Sequence, residues 1–288
     1  MHLQDPVAVE MLQKFRERIE ASKLLEVEAG DPIRVIGNRG IVNPENLPES
    51  ALSKHLETLE KAILAGELLE LARRPRSSRF AGQIEGQFLA YPIQIVFHNI
   101  GWYLGYEVTA GEKAGLLEFE RLDKLCLLSK KSQTRSPVEQ KQALDRLTTL
   151  YTASPGIFLG KSAEDQRKYL DQKRRKSVEM KVELWMGDQI FQFFIEGNQR
   201  FAKKQMKMSK RPNEVTQERD PLYTLEKSGD REFPNRFQVK LPKWSIGDVD
   251  LKRWIIGFGG KVKVVKPEEL VEMIKQEAEE IVSNYGEL

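Results

Sequence analysis

The chain is poor in the residues that carry most catalytic and structural chemistry. Its 288 residues hold one cysteine, Cys126, and three histidines, His2, His55 and His98. A lone cysteine forms no internal disulfide, which fits a reducing compartment, and with Leu125, Leu127 and Leu128 around it Cys126 reads as a small hydrophobe in a strand. Three scattered histidines and one cysteine supply neither a zinc cluster nor a Cys–His nucleophile pair at a convincing spacing. A Walker loop is missing, and Gly257-Phe258-Gly259-Gly260 is too short and wrongly placed for a dinucleotide fingerprint. Carboxylates are plentiful but fall mostly on amphipathic helices, where solvation explains them. The expectation is a protein that acts by binding, with no catalysis and no cofactor. Long hydrophobic runs are lacking too: nothing approaches the roughly 20 apolar residues that span a bilayer, and no apolar leader opens the chain. A soluble, cytoplasmic protein without a membrane partner is expected. Charge of one sign is also scarce, 46 Lys+Arg against 43 Asp+Glu, so the net +3 argues neither for nor against a polyanionic partner. The distribution of charge matters more.

What is present is a chain long enough for two modest domains, each with its own core. Asp5 and Pro6 open an amphipathic helix to about residue 23, and residues 24–27 and 33–36 read as a short hairpin. Ser50 or Ser53 caps a helix whose Leu56, Leu59, Ile63 and Leu64 make an apolar stripe ending near Gly66. Short strands follow over residues 68–71, at Phe80, and over 84–90, 93–97 and 102–108; the small, polar stretch 109–115 closes a hairpin onto a strand at 116–128. One helix before strands this short and close favours a small barrel. The polar run 129–136 reads as a linker, and 137–150 as a helix. Alternation over 178–194 predicts a hairpin turning at Gly187-Asp188. Residues 199–207 read as helical, 211–235 as a long loop, 237–241 as strand, 249–258 as helix, 262–265 as strand and 267–285 as a helix with Leu270, Ile274, Ala278 and Ile281 on one face. Strands alternating with helices suit a ferredoxin-like α+β sandwich.

Two segments carry a family resemblance. The tripeptide Trp102-Tyr103-Leu104 sits in a strand preceded by Pro92 and a short apolar strand, and followed by Phe119-Glu120-Arg121-Leu122-Asp123-Lys124-Leu125. This order resembles the WYL domain of bacterial regulators, an Sm-like small β-barrel. Further on, 251–259 with the strand at 262–267 and the final helix resembles the WCX-type extension that follows WYL domains. The resemblance covers 56–128 and about 177–285, and divides the chain into an N-terminal helix and hairpin (1–50), a WYL domain (51–130), a helical linker (131–176) and a WCX-like extension (177–288). The fold class expected is therefore α+β, with an Sm-like barrel and its leading helix followed by a ferredoxin-like C-terminal domain. Most WYL regulators begin with a winged helix-turn-helix of about three helices and a wing. Here one helix precedes the hairpin, so residues 1–50 match part of a winged helix, or pack on the barrel instead.

The resemblance implies a positive groove on the barrel that recognises a nucleotide or single-stranded nucleic acid, in a protein that regulates transcription as a homodimer and belongs to a phage-defence or CRISPR setting. Arg121 and Lys124 are candidates for that groove, although strand alternation puts Arg121 with Phe119, Asp123 and Leu125, and Lys124 on the other side; the competing reading is a surface salt bridge. Tyr103 offers a phenol to a base or phosphate, while Trp102 on the opposite face is expected in the core. His98, near a turn, could meet an anion. Arg73, Arg74, Arg76 and Arg79 crowd a loop around Pro75, a density suited to phosphate and base contacts; the alternative is a solvated basic loop. Two further basic runs, 167–176 and 200–211, would attract a phosphate backbone if they shared a face. The other function open at this point is a non-catalytic accessory protein that binds RNA or a Cas effector. A metal site is not expected.

Overall fold

The computed structural model describes residues 51–73, 86–99, 101–197, 200–210 and 220–286, all within one compact unit. The helix and hairpin expected over 1–50, Ser50, and Arg74, Arg76, Arg79 and Phe80 lie outside the described residues. The described chain is a mixed α+β structure with two antiparallel sheets and six α-helices.

The first sheet begins with helix α1 (Leu56–Ala65), which stops where Gly66 takes a left-handed conformation at φ 64°. A Cβ there would lie 2.7 Å from the Arg135 carbonyl, so only glycine fits. The expected serine cap is not used: Ser53 falls in a single 3-10 turn, Leu52–Lys54, and His55 precedes the helix without a side-chain cap. Strands β1 (Glu67–Arg73), β2 (Gln87–His98), β3 (Gly101–Val108), β4 (Leu117–Arg121) and β5 (Leu125–Thr134) form a sheet of order β4-β3-β2-β1-β5. The two edge strands share no ladder among the described residues, so the expected closed barrel is not found. A 3-10 turn, Leu122–Lys124, joins β4 to β5 and carries β5 to the far edge, beside β1. The run 129–136, expected as a linker, is mostly the end of β5; an edge strand with its polar residues in water needs no apolar alternation.

Both faces of this sheet are covered. Leu59 and Ala62 of α1 pack with Leu69, Leu71, Leu104, Tyr106, Leu122 and Leu125 on one side. On the other, Ala143, Leu147 and Leu150 of α2 (Pro137–Ala153) pack against Ile93, Tyr103, Leu117 and Phe119. The start of α2 is set by a capping box between Ser136 and Glu139, with a proline in its first turn.

After α3 (Ala163–Leu170), the second sheet is built from β6 (Glu179–Met186), β7 (Met206–Met208), β8 (Asn235–Pro242) and β9 (Val262–Lys266) in the order β7-β8-β6-β9, every neighbouring pair antiparallel. Helices α4 (Asp188–Gly197), α5 (Val249–Ile256) and α6 (Glu268–Tyr285) supply Phe191, Phe194, Leu251, Ile255 and Leu270 to its core. The expected hairpin at Gly187-Asp188 is a strand followed by a helix. Phe191 and Phe194 are three apart and both buried, while Phe193 is exposed, which is helical spacing inside an aromatic run that looks strand-like. Residues 199–207 are not helical: a 3-10 turn, Lys203–Gln205, leads into β7, where Met206 and Met208 point inward and Lys207 outward. The strand at 237–241, the helix from 249 and the final strand and helix stand where expected.

The tightest approach between layers is at Gly105 on β3. A Cβ there would lie 2.6 Å from Leu147 Cδ2 and 2.8 Å from Phe119 Cε1. Gly105→Ala should therefore cost about 1–3 kcal/mol by overpacking, read from the urea midpoint. Gly260→Ala, with nothing within 4 Å of the added carbon, should leave the midpoint where it is.

Candidate functional site

Arg73 is not a loop residue. It ends β1, is 7% exposed, and is enclosed by groups from β3 and β4. Its Nε donates to Glu120 Oε2 at 3.1 Å and its Nη2 to Glu118 Oε2 at 2.9 Å and Tyr106 Oη at 2.6 Å. The Tyr106 hydroxyl donates to Glu118 Oε2 at 3.0 Å, and Lys113 Nζ lies 3.2 Å from Glu118 Oε1. The guanidinium carbon sits 4.7 Å from the centre of the Phe88 ring. Glu118 and Glu120 flank Phe119, so alternation turns both inward as Phe119 turns to α2. Burial raises the Glu120 pKa, with Arg73 opposing it. Burial, then the neighbouring Glu118, holds the Tyr106 phenol well above its usual range. Burial also disfavours the Arg73 charge, but Tyr106, Glu118 and Glu120 outweigh it and hold the Arg73 pKa above its ordinary value. Its Nε and Nη2 are engaged inside the fold, which corrects its assignment to a ligand loop. Arg74, Arg76 and Arg79 lie outside the described residues.

The strand Trp102-Tyr103-Leu104 does divide its side chains between two faces, but the buried and exposed members exchange the places expected of them. Tyr103 is 2% exposed, packed under α2 and edge-on to His98 with ring centres 6.1 Å apart. Trp102 is 52% exposed and Phe97, its partner on β2, 59%; their rings meet edge to face at 5.2 Å. Both lie at the end of the β2–β3 hairpin, past Leu104 and Ile95, where the α1-side core stops. Arg121 is at the same end of the sheet, paired across from Tyr103. Its Nε and Nη2 donate to Asp123 Oδ1 and Oδ2 at 2.8 and 2.6 Å, a bidentate pair. The 3-10 turn breaks the alternation expected here: Phe119 joins the α2-side core and Leu125 the α1-side core. Lys124, in that turn, is half-buried and makes no ion pair among the described residues.

His98 does meet an anion, and the anion belongs to the chain. Its Nε2 lies 3.0 Å from Oδ2 of Asp250 on α5, and Asn99 Nδ2 donates to Asp250 Oδ1 at 3.3 Å. Asn99 holds φ 53°, a left-handed turn that asparagine tolerates better than most residues. Asp248 caps α5 by accepting from the Asp250 amide at 2.8 Å, and Arg200 Nη2 donates to the carbonyls of Asp250 and Pro155 at 3.0 and 3.2 Å. Burial lowers the Arg200 pKa against the pull of Asp250 and Asp248. A separation of 152 residues between His98 and Asp250 hides this junction from sequence reading. The two basic runs are partly neutralised, Arg174 by Glu164 and Lys210 by Glu226, while Arg175 donates to the Tyr169 carbonyl.

Residues 246–282 match the WCX domain. This span holds α5, β9 and most of α6. The WCX domain is the C-terminal domain associated with WYL domains, and the resemblance of the chain to WYL-family regulators holds in this part. Two solved structures are similar at low identity. One, described as a CRISPR Cas-related protein, is 11% identical with a TM-score of 0.42 and covers 82% of this chain and 53% of its own. The other, proteasome accessory factor B/C of Arthrobacter aurescens, is 14% identical with a TM-score of 0.31 and covers 86% and 29%. The chain thus spans about half of the first and under a third of the second, and neither likeness is close enough to carry function. No curated protein matches. Among the described residues no group of three or more His, Cys, Asp and Glu is placed to hold a metal ion, and no helix is long and apolar enough to cross a membrane.

The Arg73 cluster makes a pH-dependent prediction. Arg73→Met leaves Glu118 and Glu120 buried beside Tyr106 without the guanidinium and should cost about 3–5 kcal/mol at neutral pH. Removing the cation pushes Glu120 further up. A carboxyl whose folded pKa exceeds its unfolded one lends stability below the unfolded pKa and loses it as pH rises through the folded pKa. The deficit of the variant should therefore shrink between about pH 8 and about pH 5, measured by urea unfolding. A deficit that stays constant over that range would contradict the assignment.

Proposed function

We propose that the chain is a ligand-responsive regulator of the WYL type that binds a nucleotide or single-stranded nucleic acid, controls transcription, and does so without catalysis. The observation that carries the reading is the exposed Phe97–Trp102 pair at the hairpin end of the first sheet, in a chain whose C-terminal segment matches the WCX domain. Large aromatic faces left in water suit base stacking, which contributes about 1–3 kcal/mol per base. Arg74, Arg76 and Arg79 are proposed to add phosphate contacts. The curled, open first sheet supports an Sm-like arrangement, and the order β7-β8-β6-β9 with its two β-α-β connections supports a ferredoxin-like one.

Because Trp102 is exposed, Trp102→Ala should change stability by under about 1 kcal/mol yet weaken binding of single-stranded DNA by about 1–3 kcal/mol in a fluorescence titration. Replacing Arg74, Arg76 and Arg79 with Ala should lower the slope of log affinity against log salt by roughly 0.7 for each lost contact. A Trp102→Ala protein that binds like wild type would remove the aromatic platform from the reading, and tighter binding of RNA than of DNA would favour an RNA-binding accessory role.

A homodimer is proposed to form through α6. Leu270 is buried and Ile274 packs on the core, but Ile281, Val282 and Tyr285 are exposed at the far end of the helix. Two-fold pairing of that end with a second copy would cover these residues. Ile281→Asp combined with Val282→Asp should convert a sedimenting dimer to a monomer, and a monomeric wild-type protein at every accessible concentration would rule the dimer out.

A further inference from the structure

The helices of the second sheet all pack on one side. Val182, Leu184, Met186, Phe237, Val239 and Leu241 face them. Alternation sends the intervening residues to the other face, and each of the four strands places a cation there: Lys207 on β7, Arg236 and Lys240 on β8, Lys181 on β6 and Lys263 on β9. The four lysines are exposed. Lys181 and Lys240 stand directly opposite each other across the β6–β8 ladder, and neither, nor Lys207, makes an ion pair among the described residues. Like charges directly opposed on a sheet destabilise it, so this column is unfavourable unless an anion lies over it.

Among the described residues, the acidic groups on or beside this face leave the column unbalanced. Glu183, at its centre, is buried with both oxygens occupied: Oε1 accepts from Trp185 Nε1 and Arg236 Nε at 2.8 Å each, and Oε2 from Gln238 Nε2 at 2.7 Å. Asp230 lies 3.4 Å from Lys263, and Glu179 sits at the strand end opposite Pro242. Trp185 is half-buried on the same face, its indole fixed by Glu183 and its ring 5.7 Å from the Lys263 ammonium.

We infer that this face of the second sheet is a second binding surface for single-stranded nucleic acid, with the exposed Lys181–Lys240 column and Lys207 taking phosphates and Trp185 stacking a base. Charge complementarity selects a polyanion, and the oriented indole among the lysines selects one that carries planar bases free to leave their own stack. The surface is on a different sheet from Phe97 and Trp102 and stands or falls separately from them.

The test titrates the full chain, and a Trp102→Ala version of it, with labelled oligothymidine at several salt concentrations, using polyglutamate as competitor. Lys181→Gln with Lys240→Gln should weaken binding on the order of tenfold at low salt and lower the log–log slope by about 1.4, two single-strand contacts, in both backgrounds. Its melting temperature should hold or rise, because a like-charge pair is removed. Trp185→Phe should weaken binding with the slope unchanged. If the double variant folds poorly, Lys207→Gln alone should lower the slope by about 0.7. Unchanged affinity and slope in both backgrounds would overturn the inference, as would polyglutamate displacing the oligonucleotide at equal charge concentration, which would mark the face as a site for acidic protein. Loss of binding in Trp102→Ala alone, with the lysine variants silent, would leave the first-sheet site standing and remove this one.

Discussion

A guanidinium held between two carboxylates and a phenol decides the shape of the first sheet. Arg73 is on β1 and Glu118 and Glu120 are on β4, with β2 and β3 between them in the strand order. In a flat sheet those strands would lie about 14 Å apart, three spacings of roughly 4.8 Å, a gap an arginine and a glutamate would meet across only by lying fully extended along the sheet, whereas strand side chains stand roughly perpendicular to it. The contacts at 2.9 and 3.1 Å therefore require the sheet to curl around its α1-side core, although its edges do not close into a ladder. A buried ion pair of this kind adds less stability than well-packed apolar residues would, but it penalises misalignment heavily, because any slip strands a charge in a low-dielectric interior. Its effect is to specify register: a one-residue shift of β4 would turn both carboxylates to the α2 side and Phe119 into the cluster.

The curl has consequences for where chemistry can be exposed. With α1 and the charge cluster inside and α2 outside, most of the first sheet is sealed on both faces. The hairpin end carrying Phe97 and Trp102 is where its aromatic surface reaches water. The same hairpin supplies His98 and Asn99 to Asp250, so the exposed aromatics stand next to the junction that ties the first sheet to α5. A displacement of the hairpin end would act directly on that junction, a short physical route between the first sheet and the WCX-like segment.

Much of the architecture was legible along the chain wherever a local rule decides the outcome. Gly66 ends α1 because a left-handed residue is needed there, Ser136-Pro137 with Glu139 starts α2 through a capping box, and α6 follows from its apolar spacing. Misreadings occurred where local pattern and packing diverge. The aromatic run 190–194 looks like a strand but spaces its buried residues as a helix, and the polar run 129–134 looks like a linker but is tolerated as an edge strand. Of the residues singled out for ligand contact, Arg121 forms the ion pair that was the competing reading, His98 is engaged by Asp250, and Arg73 and Tyr103 are internal.

By itself, then, the sequence determined the alternation that separates Trp102 from Tyr103, the helix boundaries set by capping and glycine, the α+β class, and the likeness of its last segment to the WCX domain, because each rests on neighbours a few residues apart. That Tyr103 is buried and Trp102 exposed was decided only when α2 closed over Tyr103 and the α1-side core stopped short of Trp102. The partners of Arg73, 45 and 47 residues away, and of His98, 152 residues away, were likewise settled by folding. Burial and charge pairing are properties of surfaces brought together, and a residue's spacing along the chain does not contain them.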